Sequence, residues 1–451
     1  MISLFEPLKL ENLTYLKIRY NWKENEVSLE AGRSWDENID FSNYNKSFYI
    51  QSIMTRNGKV LNHNEVLSLF AKYELSEYLD SVINLVRKGK HFGMDLYYFK
   101  RYDIKFIGNL HSINRGINNK YHAILAGGIR RHEPDEAEIE VVKDGLNLSR
   151  AMSYKNIAAD LPFGGSKTTV IMETLDLSNF DMLGFLAYSI DSIRTMTGPD
   201  MKFPTEMADV MNEHFSMQFT GGPSSILGET GKPTAYGTFL ALKEVMQYKY
   251  NTKSLKGKKI AVQGLGAVGW WMAKYLLEED IELLISDIDE NRAIELIKSN
   301  PNRAITFVNP NEILYSDVDI LVPCAMGGII TSENIDSLKC KIIFGAANNQ
   351  LQAVSPEEEI ELSRKLHEKG ILYQESWWHN CAGVMAGAEE YIHRNNATYE
   401  RLVKNIEIII PYNTRKNLLE SEKNGITPTE NMYRICEKIL YKENDLKGVT
   451  L

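Results

Sequence analysis

Residues 258–287 read KKIAVQGLGAVGWWMAKYLLEEDIELLISD, and this stretch decides the fold. A short apolar run, KKIAVQ, has the length and composition of a buried strand and leads straight into Gly264-Leu265-Gly266-Ala267-Val268-Gly269. A helical segment, WWMAKYLLEE, follows, and then a second apolar run, ELLISD. A GxGxxG pattern alone is weak in a chain with 30 glycines, but between a strand and a helix it has a mechanical meaning. Gly264 permits the tight turn, Gly266 lets backbone approach a pyrophosphate, and Gly269 allows the helix to pack closely on the strand. Ala267 and Val268 complete the turn, and the helix N-terminus presents free N–H groups to phosphates. Asp287 ends the second strand, where a carboxylate accepts hydrogen bonds from the adenosine ribose hydroxyls and repels a 2′-phosphate. The expected cofactor is therefore NAD rather than NADP. Trp270 and Trp271 are expected to pack the helix, with no chemical part.

Working outward, AITFV, DILVP, CKIIFGA and GILY continue the alternation of short apolar runs with helices or loops, the mark of a parallel, doubly wound sheet. Beyond them, residues 399–440 read as helices that return to the first half of the chain. Upstream, Pro134, Asp135 and Glu138 mark a helix start. Ile139, Val142, Leu146 and Met152 then recur at helical spacing, with the end expected near Tyr154–Lys155. LPFGGSK is expected as a Gly-rich turn before a strand, TTVIM. Residues 1–90 contain β-like stretches (LTYLKIRY, SFYIQSIM) and a helical pattern from Asn64, and carry no chemical motif. The expected architecture is α/β with two domains: an N-terminal substrate and oligomerisation domain, and a C-terminal Rossmann domain. Boundaries are placed at 1–90 (an extension), 91–233 (catalytic), 234–385 (dinucleotide-binding) and 386–451 (returning helices).

The rest of the composition narrows the class. With 451 residues, 43% hydrophobic and 25% charged, the chain can bury large cores. A formal net charge of -9 argues against a nucleic-acid partner, which would need clustered Lys and Arg. Four widely spaced cysteines form no CxxC or disulfide pattern and suit a reducing compartment. The N-terminus lacks a signal-peptide core, and no apolar run is long enough to span a membrane. The expectations are a cytoplasmic location, no membrane partner and no metal.

Lys155 in SYKN and Lys167 in PFGGSK stand twelve residues apart. A lysine that is desolvated or near another cation loses its proton more readily, which suits it to proton transfer. Spacing alone leaves this open against solvated surface lysines. The chain at this point resembles the glutamate/leucine/phenylalanine/valine dehydrogenase family from about residue 120 to about 440. The resemblance rests on GGIR (127–130), SYKN (153–156), PFGGSK (162–167), TGPDM (197–201), PTAYG (233–237), GLGAVG (264–269), VPCAMGG (322–328), GAANNQL (345–351) and NCAGV (380–384), all in the family's order.

The resemblance implies NAD-dependent interconversion of an L-amino acid and its 2-oxo acid, by a homo-oligomer. It implies that Lys155 binds the α-carboxylate, that Lys167 polarises the carbonyl and activates water, and that Asp200 shuttles protons at the substrate nitrogen. Asp209, in a superficially similar Asp-Val pair, loses on register to Asp200 and is expected as an exposed helix residue. Gly127 and Gly128 match the cleft-lining glycines, and Thr234, Ala325, Asn348 and Asn380 match positions near the nicotinamide, its ribose and the substrate. Cys324 is expected as a small buried residue, not a nucleophile.

Glutamate-using relatives carry a lysine where this chain has Ala126, so a side-chain carboxylate would be buried unpaired, which disfavours glutamate. Met152, Gly198, Val384 and Gly387 match the rest of the side-chain pocket. The small residues Ala126, Gly198 and Gly387 point to a bulky apolar or aromatic side chain, within the modest discrimination that pocket volume allows. The chain departs from the family at Met201-Lys202-Phe203, where Val-Gly-Thr is usual, and at NCAG, where Asn-Ala-Gly-Gly is usual. Lys202 could alter Asp200, contact substrate or point to solvent. Two other functions stay open: reductive coupling of a 2-oxo acid with an amine other than ammonia, and a non-catalytic NAD-binding scaffold.

Overall fold

A computed structural model describes residues 2–45, 58–353 and 355–441. Strand and helix periods divide these residues into two sheets, each covered by helices. The first is built from β1 (Tyr15–Asn21), β2 (Glu26–Gly32), β3 (Val60–Leu61), β4 (Gly93–Phe99), β5 (Ile104–Ser112), β6 (Leu125–Ala126), β7 (Ile129–His132), β8 (Gly164–Ile171) and β9 (Thr195–Met196). Its order is β3-β2-β1-β4-β5-β8-β6-β9, with β7 also paired to β8. The second contains β10 (Lys259–Gln263), β11 (Glu282–Ser286), β12 (Ala304–Phe307), β13 (Ile320–Pro323), β14 (Ile342–Ile343) and β15 (Leu372–Tyr373). All its pairs are parallel, in the order β12-β11-β10-β13-β14-β15. The strand order reverses between β10 and β13, the switch point outside which such sheets bind ligands. This is the doubly wound domain expected from residues 258–287.

The described residues before position 91 do not form a unit of their own, contrary to the extension expected. β1 pairs with β2 on one side and with β4 on the other, so the chain's first strands lie inside the catalytic sheet. Leu4, Phe5, Leu8, Phe70 and Val82 share one apolar core with Met94, Leu96, Val141 and Leu146. LTYLKIRY alternates buried and half-buried side chains, so β1 needs a core against one face, while its two edges pair with β2 and β4. The predicted strand SFYIQSIM lies outside the described residues.

Two local expectations also shift. The helix Glu138–Ala158 starts later than Asp135 and runs one turn past Tyr154–Lys155, so Lys155 projects from its last turn. LPFGGSK is not a turn, because Gly164 and Gly165 already belong to β8. An ideal Cβ on Gly165 would stand 2.2 Å from the Ser153 backbone nitrogen, so these glycines let the helix pass close over the strand.

The C-terminal helices Tyr399–Asn424 and Pro428–Leu440 return as expected. Asn413 Nδ2 donates to the Ala158 carbonyl at 2.8 Å, the Tyr154 and Tyr433 rings lie 5.4 Å apart, and Tyr441 Oη stands 3.2 Å from His111 Nε2. No helix among the described residues is long and apolar enough to cross a membrane.

Candidate active site

Lys167 sits at the heart of β8, opposite Asn109 of β5, and its side chain is 7% exposed. Asp200 follows β9 on a loop tied to β7: Ile129 N donates to the Gly198 carbonyl and Asp200 N to the Ile129 carbonyl, both at 3.0 Å. This stitching brings Lys167 Nζ into direct ion-pair contact with Asp200 Oδ2. Gly128 lies beside them, and a Cβ there would be 3.0 Å from Lys167 Nζ and 3.4 Å from Asp200 Cβ. A Cβ on Gly127 would overlap the Ser166 carbonyl oxygen at 1.7 Å, so a side chain is excluded there, whereas one on Gly128 would crowd the catalytic pair.

Burial would raise the Asp200 carboxyl, but Lys167 and Arg130 outweigh it and bring it down to about 2. Burial lowers the Lys167 ammonium more than Asp200 raises it. Lys155 is lowered to about 8, again chiefly by burial, with Lys167 adding to the fall. Its Nζ donates to Asn348 Oδ1 at 3.2 Å, and the same oxygen accepts from Asn380 Nδ2 at 2.8 Å. Lys155 is near enough to Lys167 and Asp200 to feel their charges, but it is not among the residues that line the cleft with them.

The cleft between the domains has a volume of about 440 Å3 and is lined by Lys167, Asp200, Gly127, Gly128, Met152, Gly198, Val384 and Gly387. Ala267 of the glycine turn lines the same space, so cofactor loop and catalytic pair share one hollow. A Cβ on Gly387 would meet Thr220 Oγ1 at 3.0 Å and Met196 at 3.8 Å, so its absence leaves room. Ala126, expected on the pocket wall, is fully buried with Phe163, Met196 and Ala388 instead, and it is Met196 and Val384 of that cluster that reach the cleft. Thr234 turns its hydroxyl to the Thr230 carbonyl at 2.8 Å within its own helix, and Thr230 is the one that lines the cleft.

Asp209 is half-buried rather than exposed, because its carboxylate accepts from Ser224 N at 2.9 Å and anchors the loop carrying Gly222. Lys202 turns away from Asp200 toward Glu136 at 3.0 Å and Glu133 at 3.5 Å. Met196, Thr220 and Thr230 line the cleft although the sequence reading assigned them no role. Thr220 precedes Gly221 and Gly222, both of which also line the cleft.

The glycine turn fits a dinucleotide. Gly264 has φ of +88°, and a Cβ there would press on Ala325 at 2.7 Å, which places Ala325 against the turn. A Cβ on Gly269 would overlap the Gly264 carbonyl at 1.9 Å, so the helix Gly269–Leu277 can seat only on glycine. Gly266 is open, its nearest neighbour being Arg292 Nη1 at 3.7 Å from an ideal Cβ. Asp287 accepts from Leu265 N at 2.6 Å and Asp289 N at 2.9 Å, bracing the turn against the end of β11. The next residue, Ile288, is 94% exposed. Trp270 and Trp271 pack against the core with Lys274 over both rings. Burial pushes the Cys324 thiol up to about 12, which makes it a poor nucleophile. No cluster of metal-ligating side chains occurs among the described residues.

Residues 109–220 match the family described as Glu/Leu/Phe/Val dehydrogenase, dimerisation domain. Residues 227–294 and 280–443 match Glutamate/Leucine/Phenylalanine/Valine dehydrogenase. The chain is 35% identical over 281 residues to a leucine dehydrogenase of Thermoactinomyces intermedius, covering 60% of this chain and 72% of that one. It is 35% identical over 315 residues to an L-tryptophan dehydrogenase of Nostoc punctiforme (69% and 85%), and 34% identical over 325 residues to a phenylalanine dehydrogenase of Lysinibacillus sphaericus (70% and 81%). The crystal structure of L-tryptophan dehydrogenase from Nostoc punctiforme superposes with a TM-score of 0.66 at 30% identity, covering 79% of this chain and 98% of that one.

Proposed function

Because the chain belongs to the glutamate/leucine/phenylalanine/valine dehydrogenase family, we propose that its cleft performs NAD-dependent oxidative deamination of an L-amino acid with an apolar or aromatic side chain, or the reverse amination. The observation that carries this reading is the meeting of Lys167, Asp200 and the glycine-turn residue Ala267 around one hollow.

Gly264 to Gly269 and Asp287 would hold NAD, which supplies the hydride acceptor when bound. Lys155 holds the substrate α-carboxylate as a point charge. Asp200 takes a proton from the substrate nitrogen and later returns it to the leaving amine. Lys167, already inclined to lose its proton, accepts one from the water that adds to the iminium carbon and stabilises the oxygen that becomes the carbonyl. Domain closure over the cleft excludes water that would compete. Release of ammonia leaves the 2-oxo acid.

Within this class a bulky or aromatic side chain is favoured. Gly198 and Gly387 leave the wall open, and Lys167, the one cation lining the cleft among the described residues, is already paired with Asp200. The protein acts in the cytoplasm as a homo-oligomer; support comes from four free cysteines, which suit a reducing compartment, and from the match to a dimerisation domain. Neither coupling to another amine nor a scaffold role gains support from any specific feature.

The test is a panel of L-amino acids with NAD, followed by NADH absorbance, and the reverse panel of 2-oxo acids with ammonium and NADH. Turnover of apolar and aromatic members above glutamate is expected. Tight NADH binding with no turnover of any member would refute the reading.

A further inference from the structure

Lys167 and Asp200 have a third companion. Arg130 stands on β7, and its Nη2 lies 3.2 Å from Asp200 Oδ2, the same oxygen that meets Lys167. Its Nη1 reaches both oxygens of Asp144 on helix 138–158, at 3.1 and 2.9 Å. Behind Asp144, His132 Nε2 is 3.5 Å from Asp144 Oδ2, and His132 Nδ1 is 2.7 Å from Glu136 Oε2. Arg130 and His132 are two apart on one strand and so share a face, the one helix 138–158 covers.

Two cations on one oxygen fix the rotation of the Asp200 carboxylate and leave Oδ1 without a side-chain cation among the described residues. A planar guanidinium can bond two carboxylates at once, which an ammonium cannot do with the same geometry. Asp144 therefore governs how much of Arg130's charge reaches the catalytic pair. We propose that Arg130 is a positioning residue of the deamination, holding Asp200 beside Lys167 and tuning proton exchange at both, with Asp144 as the counter-charge that limits its pull. This rests on the reaction assigned to the cleft above.

The signs follow from the charges. Arg130 favours the proton-free form of both Lys167 and Asp200, whereas Asp144 favours the protonated form of Lys167. The charged groups around Arg130 and Asp144 are Lys167 on β8, Asp200 and Lys202 on the loop after β9, Arg131 and His132 on β7, and Glu133 and Glu136 before the helix, with Lys155 on helix 138–158 acting on Lys167 and Asp200. Removing Arg130's charge makes Lys167 and Asp200 keep their protons to higher pH. Removing Asp144's charge does the reverse.

The experiment measures kcat and KM of the full chain against pH, with NAD and the best amino acid of the panel. In R130Q, kcat should fall about tenfold or more while KM changes little. The acid limb of its kcat profile should move up by about one pH unit. In D144N the limb should move down, a reversal that mere loosening of the fold would not produce. R130K keeps the charge without the fork, so its limb should stay near the wild type while kcat recovers only in part. Should R130Q fail to fold, R130K and D144N decide: a fixed limb in the first and a lowered one in the second support the role. Limbs that do not move, or that move the same way in R130Q and D144N, overturn it. If the wild type turns over nothing, the reaction and this role fall together; if the wild type is active and the variants match it, only the role of Arg130 fails.

Discussion

Lys155 must carry its charge where burial discourages charge. Its ammonium is lowered to about 8, and its hydrogen-bond partner, Asn348, is neutral. Only the protonated form can hold a substrate carboxylate. As pH rises through about 8, the free enzyme loses that form, so kcat/KM for the amino acid should fall while NADH affinity stays level. Lys155→Arg, whose guanidinium stays charged, should retain weak activity and move the fall to higher pH. A kcat/KM that climbs through this range in the wild type would mean that Lys155 does not act as a cation. Asp200→Asn gives a second check at this scale: kcat should drop by about 10²–10⁴-fold, the usual value of a positioned proton-transfer group, with NADH binding kept. Lys155, Lys167 and Asp200 were legible because each stands in a dense local motif. Arg130 was quoted in GGIR, yet its contact with Asp200 joins positions 70 apart in sequence and arises only from the pairing of β7 with the TGPD loop. Ala126 was misplaced for the converse reason, since a motif gives position along the chain but not which way a side chain turns.

Glycine is the element-scale sign most easily misread. In LPFGGSK it suggested a turn, whereas Gly164 and Gly165 are strand residues over which a helix passes. Both roles draw on the missing Cβ, and a sequence does not say whether the space is needed for φ or for a neighbour. In the cofactor loop the two coincide: Gly264 is needed for its φ and Gly269 for its neighbour, and the flanking strand and helix patterns made the assignment secure. The difference is testable at Gly165, where a Cβ would meet backbone that cannot rotate aside. Gly165→Ala should force helix 138–158 away from β8 and cost about 1–3 kcal/mol, the usual range for overpacking, seen as a lower thermal midpoint. Because Lys155 rides on that helix and Lys167 on that strand, amino-acid KM should rise as well. An alanine variant with unchanged melting and KM would restore the turn interpretation.

At the scale of the whole molecule, the doubly wound domain was readable because its inner strands β10, β11, β13 and β14 are short, continuous apolar runs that are mostly buried. The first ninety residues were not, because half-buried antiparallel strands alternate weakly and pair with partners far along the chain. Their place in the sheet makes a prediction that an appended unit would not. A chain starting at residue 91 would expose the whole edge of β4, now paired to β1. It would also uncover Met94, Leu96, Ile107, Val141, Val142 and Leu146, which share the core of the first ninety residues. Each such side chain is worth about 1.5–3 kcal/mol when buried, so losing cover over all six approaches or exceeds the ~5–15 kcal/mol by which a typical domain is stable. Glu138 would be stranded too, because its carboxylate receives Ser3 Oγ, Leu4 N at 2.7 Å and Tyr78 Oη at 3.1 Å. The truncated chain is therefore expected to be insoluble or unfolded by circular dichroism, with no dehydrogenase activity. A soluble truncated form with wild-type kcat would show instead that the segment is an accessory laid on a catalytic domain complete without it.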